Sequence, residues 1–229
     1  MQAYTYLLVN IVCISIPLIS SFYPKHAFYK EWKPFFKANL LVGLLFVIWD
    51  ILFTKAGIWG FNPDYLTGFY IFNLPIEEVL FFICIPYACV FSYFAFQYLI
   101  NRNPLKDNER LISYVLILVL LIIAFLNYDR LYTSVTFFST SIFLLYLRWR
   151  HVNLAMHYLS YLFILPFFFF SNGVLTGSFL VEPIVWYNDM ENLGIRVVNI
   201  PIEDSIYGLL LIFMNIECYQ MFKSRAAQS

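Results

Sequence analysis

Two short segments hold the residues most suited to chemistry: Pro75-Ile-Glu-Glu78 and Pro201-Ile-Glu-Asp204. Each sets two acids side by side. Sliding the chain by 126 positions superposes them, and also superposes Asn62 on Asn188, Gly68 on Gly194, Asn73 on Asn199 and, farther on, Tyr93 on Tyr219. Six identities within the ungapped stretch 62–78 include the least interchangeable residue types. Similarity at a fixed offset is the signature of an internal repeat.

Both segments read as helix starts. Asn73 and Asn199 suit an N-cap, proline is tolerated in a first helical turn, and an acid there is favoured by the helix dipole. Capping alone accounts for one acid, not for an adjacent pair in both halves. Neighbouring helical residues point about 100° apart, so one acid of each pair can serve the helix start while the other faces the bundle. Ionisable residues at helix ends inside a bundle are functional candidates by default.

A carboxylic acid in an apolar, aromatic-lined cavity suits proton donation to an unactivated carbon–carbon double bond. Burial and a neighbouring like charge both favour the neutral acid, which keeps a proton available; the helix dipole acts in the opposite sense. The carbocation formed would need π-faces beside it. Trp49, Trp59, Phe61, Tyr65, Phe69, Tyr70, Trp186 and Tyr187 cluster around the two motifs, although an interfacial aromatic belt would use the same residue types.

The elements that must position these residues are membrane spans. Of 229 residues, 62% are hydrophobic and 12% charged, against about 25% charged in an average soluble domain. Apolar runs of spanning length lie near 3–22, 35–53, 76–99, 111–127, 131–147, 154–171 and 201–222. The expected fold is therefore an all-α membrane protein of seven transmembrane helices. The first run, without a basic leader or a small-residue cleavage site, reads as a retained helix and not as a signal peptide.

Eleven of the 14 Lys and Arg residues fall in the connections after spans 1, 3 and 5 and in the C-terminus, and only Lys55, Arg130 and Arg196 fall on the other side. The positive-inside rule then puts the N-terminus outside and the C-terminus in the cytoplasm. The offset maps spans 1–3 onto spans 5–7 and leaves span 4 as a connector, a 3+1+3 plan of two parallel repeats. This gives a first repeat over 1–105, a connector over 106–128 and a second repeat over 129–229. All four carboxylates are expected in one outer layer.

At these residues the chain resembles a known family. The run Trp59-Gly-Phe-Asn62…Gly68…Leu74-Pro-Ile-Glu-Glu78, echoed by Asn188…Gly194…Ile200-Pro-Ile-Glu-Asp204, is similar to the lycopene cyclase domain, an integral-membrane carotenoid cyclase family. The resemblance covers nearly the whole chain, as in the fused two-domain form. It implies an isomerase that closes the linear ends of lycopene, or a related carotenoid, to β-rings without redox chemistry, cofactor or metal. An acid protonates the terminal double bond, the neighbouring double bond attacks the cation, and a base removes a proton. By the same resemblance Glu77, Glu78, Glu203 and Asp204 are the candidate acid and base. Asp50, at similar depth in span 2, is the next catalytic candidate; the offset gives it Thr176 and not an acid. Supporting roles fall to Asn62, Asn73, Asn188, Asn199, Tyr93, Tyr219 and Glu217, the last matched by Phe91 in the first half. Implied partners are a linear carotenoid drawn from the bilayer, the lipid itself and other carotenoid biosynthesis enzymes. The implied location is the cytoplasmic membrane of a prokaryote.

The main rival is a small transporter, because 3+1+3 parallel repeats also describe carrier folds whose paired carboxylates couple protons or ions. Spans 3, 6 and 7, however, are mostly Phe, Leu and Ile, which suits a greasy substrate better than a polar path. A retinal protein would need a buried Schiff-base lysine, and the last span has only Lys223 at its end. A prenyltransferase would need paired Asp-rich motifs, for which Asn188-Asp-Met-Glu-Asn192 has no counterpart. No Gly-x-Gly-x-x-Gly run is present. The balance of 14 basic and 14 acidic residues gives no pointer to nucleic acid. Cys13, Cys84, Cys89 and Cys218 lie in apolar runs and read as packing residues. His26, His151 and His157 show no ligand spacing and read as lone histidines near basic loop ends.

Overall fold

A computed structural model describes residues 2–226; Met1 and residues 227–229, the outermost ends of the two expected repeats, lie outside the described residues. The seven α-helices are α1 (Thr5–Ser20), α2 (Trp32–Lys55), α3 (Ile76–Leu99), α4 (Glu109–Leu126), α5 (Leu131–Trp149), α6 (Ala155–Leu175) and α7 (Ile202–Ala226). In hydrocarbon each backbone N–H and C=O must be satisfied within its own segment, and these long apolar runs do so as helices.

Among the described residues, six helices are long and apolar enough to cross a membrane, and α5 is not one of them. Thr133, Ser134, Thr136, Ser139, Thr140 and Ser141 dilute its hydropathy. Two of these hydroxyls turn inward to the helix's own carbonyls, Thr140 to Thr136 and Ser141 to Phe137 at 2.8 Å each. That local bonding satisfies the buried Thr140 and Ser141 hydroxyls, and Thr133 reaches across to Glu203, while the buried Thr136 hydroxyl is left without a partner among the described residues.

The halves interlock. Helix α1 packs on α3 and, at the equivalent place, α5 packs on α7. The middle helices cross over, α2 lying against α7 and α6 against α3. Helix α4 packs on α5, and a buried ion pair fastens it there, with Arg148 Nη1 2.6 Å from Glu109 Oε2. The same oxygen accepts from the Leu154 N–H at 3.3 Å, just before α6. The largest apolar core lies between α2, α3, α6 and α7, around Phe35, Tyr87, Tyr93, Tyr158 and Phe213.

The long connections fold into short strands, which the all-α expectation omitted: β1 (Trp59–Phe61), β2 (Tyr70–Ile71), β3 (Leu74–Pro75), β4 (Val185–Tyr187), β5 (Arg196–Val197) and β6 (Ile200–Pro201). Strand β1 pairs antiparallel with its own counterpart β4, with Gly60 opposite Trp186. The flanking bonds repeat the symmetry, Asn62 N to Ile184 O at 2.8 Å and Asn188 N to Ile58 O at 2.9 Å. Such self-complementary contact is what a two-fold relation between halves produces. Gly60 is required there, because a Cβ would lie 2.4 Å from the Trp186 ring.

Hairpins β2–β3 and β5–β6 lead directly into α3 and α7. Their two-residue turns are Phe72-Asn73 and Val198-Asn199, and Phe72 (φ 56°) and Val198 (φ 61°) take left-handed backbone, a costly conformation for non-glycine residues. The expectation that Asn73 and Asn199 cap the helices is corrected here. The residue preceding α3 is Pro75, with no side-chain cap, because the hairpin draws each asparagine back toward the preceding helix. Asn73 Nδ2 donates to Ile51 O at 3.0 Å, and Asn199 accepts from Ser178 Oγ at 3.0 Å and donates to Gly173 O at 3.3 Å.

Candidate active site

The hairpins fix the first turns of α3 and α7, and there the two acids of each pair separate. Glu77 Oε1 accepts from the Thr67 N–H at 2.7 Å. Glu203 Oε1 accepts from the Leu193 N–H, also at 2.7 Å, and from Thr133 Oγ1 at 2.6 Å. Both glutamates are fully buried and hold the loops that cover their own helix starts. The Ile76 N–H to Phe69 O bond (2.8 Å) and the Ile202 N–H to Ile195 O bond (3.0 Å) close the same loops.

The second acids turn about 100° away, as helical geometry requires, into one cavity between the halves. Glu78, Asp204 and Asp50 all line it, whereas Glu77 and Glu203 do not. The single layer of four carboxylates expected from the sequence thus resolves into two loop anchors and two cavity acids, joined by Asp50. Every helix except α4 contributes to the walls: Tyr6 from α1, Asp50 from α2, Glu78 from α3, Tyr132 from α5, Asn172 from α6, and Asp204 and Tyr207 from α7. Trp59, Phe61 and Tyr187 reach in from the β1–β4 pair, and Phe81, Phe168, Leu175 and Leu211 complete a largely apolar lining.

Each cavity acid is held by an equivalent tyrosine. The Tyr6 hydroxyl donates to Glu78 Oε2, and the Tyr132 hydroxyl donates to Asp204 Oδ1 at 2.5 Å. The 126-residue offset relates Tyr6 to Tyr132. The sequence reading missed both, although the offset that found the acids extends to this identity. Beyond that the halves diverge. Asp204 Oδ2 also accepts from Asn172 Nδ2 at 2.6 Å and from the Tyr187 hydroxyl at 2.9 Å. The first-half counterpart of Tyr187 is Phe61, which has no hydroxyl to offer. Asp50 is buried beside Trp59, and its Oδ2 has no hydrogen-bond partner. The Tyr207 hydroxyl is likewise buried and unpartnered.

The remaining candidates lie elsewhere. Asn62 and Asn188 make matching Asx turns, accepting at Oδ1 from Asp64 N and Met190 N at 3.1 Å each, and Asn62 also donates to Glu182 at 3.0 Å. Glu217, Tyr93 and Tyr219 sit far along α3 and α7, more than a dozen residues from the acids, so about 20 Å away along the helices. Glu217 pairs with His157 Nε2 at 2.7 Å, Tyr93 accepts from Gln220 at 2.8 Å, and Tyr219 accepts from Lys223 at 3.3 Å. His157 is therefore no lone loop histidine but a buried partner of Glu217, because α6 starts alongside the far end of α7. Among the described residues no group of three His, Cys, Asp or Glu side chains is placed to hold a metal ion.

No curated protein and no solved structure matches the chain. The lycopene cyclase family does, over residues 3–96 and 129–222. The two matched segments are offset by the same 126 positions as the paired acids and paired tyrosines, and together they take in every helix of the cavity wall while leaving out α4. On that match, the chain belongs to the lycopene cyclase family.

Proposed function

We propose that this protein is a lycopene β-cyclase, closing the linear ends of lycopene or a related carotenoid to β-rings in one cavity shared by its two halves. Family membership already makes it a carotenoid cyclase with a hydrophobic substrate taken from the membrane. The observation that carries the finer reading is the cavity itself, where Glu78 of one half and Asp204 of the other face a common aromatic space with Asp50. Proton transfer to and from carbon needs carboxyls within reach of the reacting atoms. The cation between the two transfers needs π-faces, which Trp59, Phe61, Phe81 and Phe168 offer. Apolar walls keep water from capturing that cation.

In this reading the helices form a 3+1+3 bundle with α4 as connector, a first repeat over 1–105 and a second over 129–229. The N-terminus is outside, the C-terminus is cytoplasmic, and the host membrane is the cytoplasmic membrane of a prokaryote. Expression in a lycopene-accumulating bacterium tests the activity. Monocyclic or bicyclic carotenes are the expected pigments, and unchanged lycopene despite verified membrane insertion overturns the reading.

A further inference from the structure

The cavity acids are not equivalent, and their partners differ in kind. Asp204 receives three donors, from Tyr132, Asn172 and Tyr187. Glu78 receives one, from Tyr6, and no other donor among the described residues reaches it. Its neighbourhood holds a second acid instead, Asp50, whose Oδ2 is buried without a partner. The offset shows that the difference is built into the sequence of each half. The position of Tyr187 is Phe61 in the first half, and that of Asp50 is Thr176 in the second. Thr176 spends its hydroxyl on its own helix, at Asn172 O, 2.9 Å.

Donors directed at a carboxylate stabilise its charged, proton-accepting form, whereas a second acid nearby favours a retained proton. From this geometry, and resting on the cyclase reading above, we propose that the single cavity has a fixed polarity. Glu78, with Asp50 beside it, is the acid that protonates the substrate, and Asp204, oriented by Tyr187, Asn172 and Tyr132, is the base that ends the reaction. The Glu78 carboxyl proton adds to the terminal double bond and leaves a tertiary cation. The neighbouring double bond attacks it, forming the ring carbon–carbon bond and moving the positive charge into the ring. A ring C–H beside that charge gives its proton to the Asp204 carboxylate, and the C–H electron pair becomes the ring double bond. One proton enters and one leaves, so substrate and product are isomers. Proton return from Asp204 to Glu78 resets the site. Tyr187, Asn172 and Tyr132 are positioning residues that act through Asp204.

The test uses the full-length protein in isolated membranes supplied with lycopene in deuterated buffer, comparing Glu78→Gln with Asp204→Asn. Each substitution is expected to slow ring formation by about a hundredfold or more, but with opposite isotope signatures. With Asp204→Asn the acid still works, so recovered lycopene and any shunted alkene or alcohol carry deuterium. With Glu78→Gln the first step is lost, and lycopene stays unlabelled. The reverse pattern, or unlabelled lycopene from both variants, overturns the polarity while the unsubstituted protein still makes rings. Failure of the unsubstituted protein to make rings removes the cyclase reading itself. Should Asp204→Asn not accumulate in membranes, Tyr187→Phe carries the same test. Losing one donor on the base should slow ring formation by about tenfold and raise the labelled fraction of unconverted lycopene. An unchanged labelled fraction overturns the role given to Tyr187 and Asp204.

Discussion

The Tyr132 hydroxyl donates to Asp204 Oδ1 at 2.5 Å, and the Tyr6 hydroxyl makes the equivalent bond to Glu78. The two bonds join α5 to α7 and α1 to α3, so each half orients its cavity acid with its own first helix. Because Asp204 keeps two further donors, Tyr132→Phe should be tolerated better than Tyr6→Phe. Tyr6 is the one donor among the described residues that aims Glu78, and misplacing a reacting group by about 1 Å can cost about a hundredfold. Tyr6→Phe is therefore expected to lower turnover by about ten- to a hundredfold and Tyr132→Phe by less. Pigment conversion per unit of membrane-inserted protein gives the ranking, and equal losses would contradict it.

The anchoring glutamates should behave differently from the cavity acids. Glu77→Gln removes a charged acceptor from the Thr67 N–H, and Glu203→Gln removes one shared by Leu193 N–H and Thr133. Each should lower stability by about 1–3 kcal/mol, with Glu203→Gln the more costly. Conversion per folded molecule should stay near that of the unsubstituted protein. Thermal unfolding in detergent measured beside pigment conversion separates the two effects; lost conversion at unchanged stability would move these acids into the chemistry.

Gly60 and Trp186 form a close contact at the centre of the paired strands, where a Cβ on residue 60 would meet the indole at 2.4 Å. Gly60→Ala should therefore destabilise the protein by about 1–3 kcal/mol. Adding Trp186→Ala, which removes the obstructing ring, should recover part of that loss. A double substitution that is simply additive would show that the clash is not the cause.

Arg148 and Glu109 are both buried and 2.6 Å apart. Removing one partner of such a pair typically costs about 3–5 kcal/mol, whereas replacing both with apolar residues costs much less. Arg148→Met alone should sharply reduce the yield of folded protein, and Arg148→Met with Glu109→Leu should restore most of it. Cyclisation by the double variant should remain, since α4 adds nothing to the cavity wall.

Coexpression of residues 1–105 and 106–229 as separate chains should restore conversion, because α2 packs on α7 and α3 on α6 across the division. Neither fragment should act alone, since each supplies only one of Glu78 and Asp204. Ring formation by a single fragment would defeat the shared cavity.

The sequence by itself determined the helices, the repeat and the paired acids. Long apolar runs have few ways to satisfy their backbone in lipid, so the helix over Ile76–Leu99 is legible from its residues alone. The repeat is legible because Pro-Ile-Glu recurs at a fixed offset, and the same offset could have revealed Tyr6 and Tyr132. The separation of each acid pair was legible as a rule of helical geometry, but not its direction. A helix's periodicity states that Glu77 and Glu78 diverge; only packing against α1, α2 and α7 decides which of them meets the cavity. The hairpins were hidden because their two-residue turns carry Phe72 and Val198 at positive φ, residue types that give no local turn signal. Asp50 and Tyr187 were legible as neighbours of the motifs, but tertiary structure alone set the Tyr187 hydroxyl on Asp204 and placed Asp50 in the same cavity as Glu78. It alone also brought Asn172 to Asp204 and His157 to Glu217. Each of these contacts joins residues on different helices or loops, whose proximity is set by side-chain packing across the bundle and leaves no periodic trace along the chain.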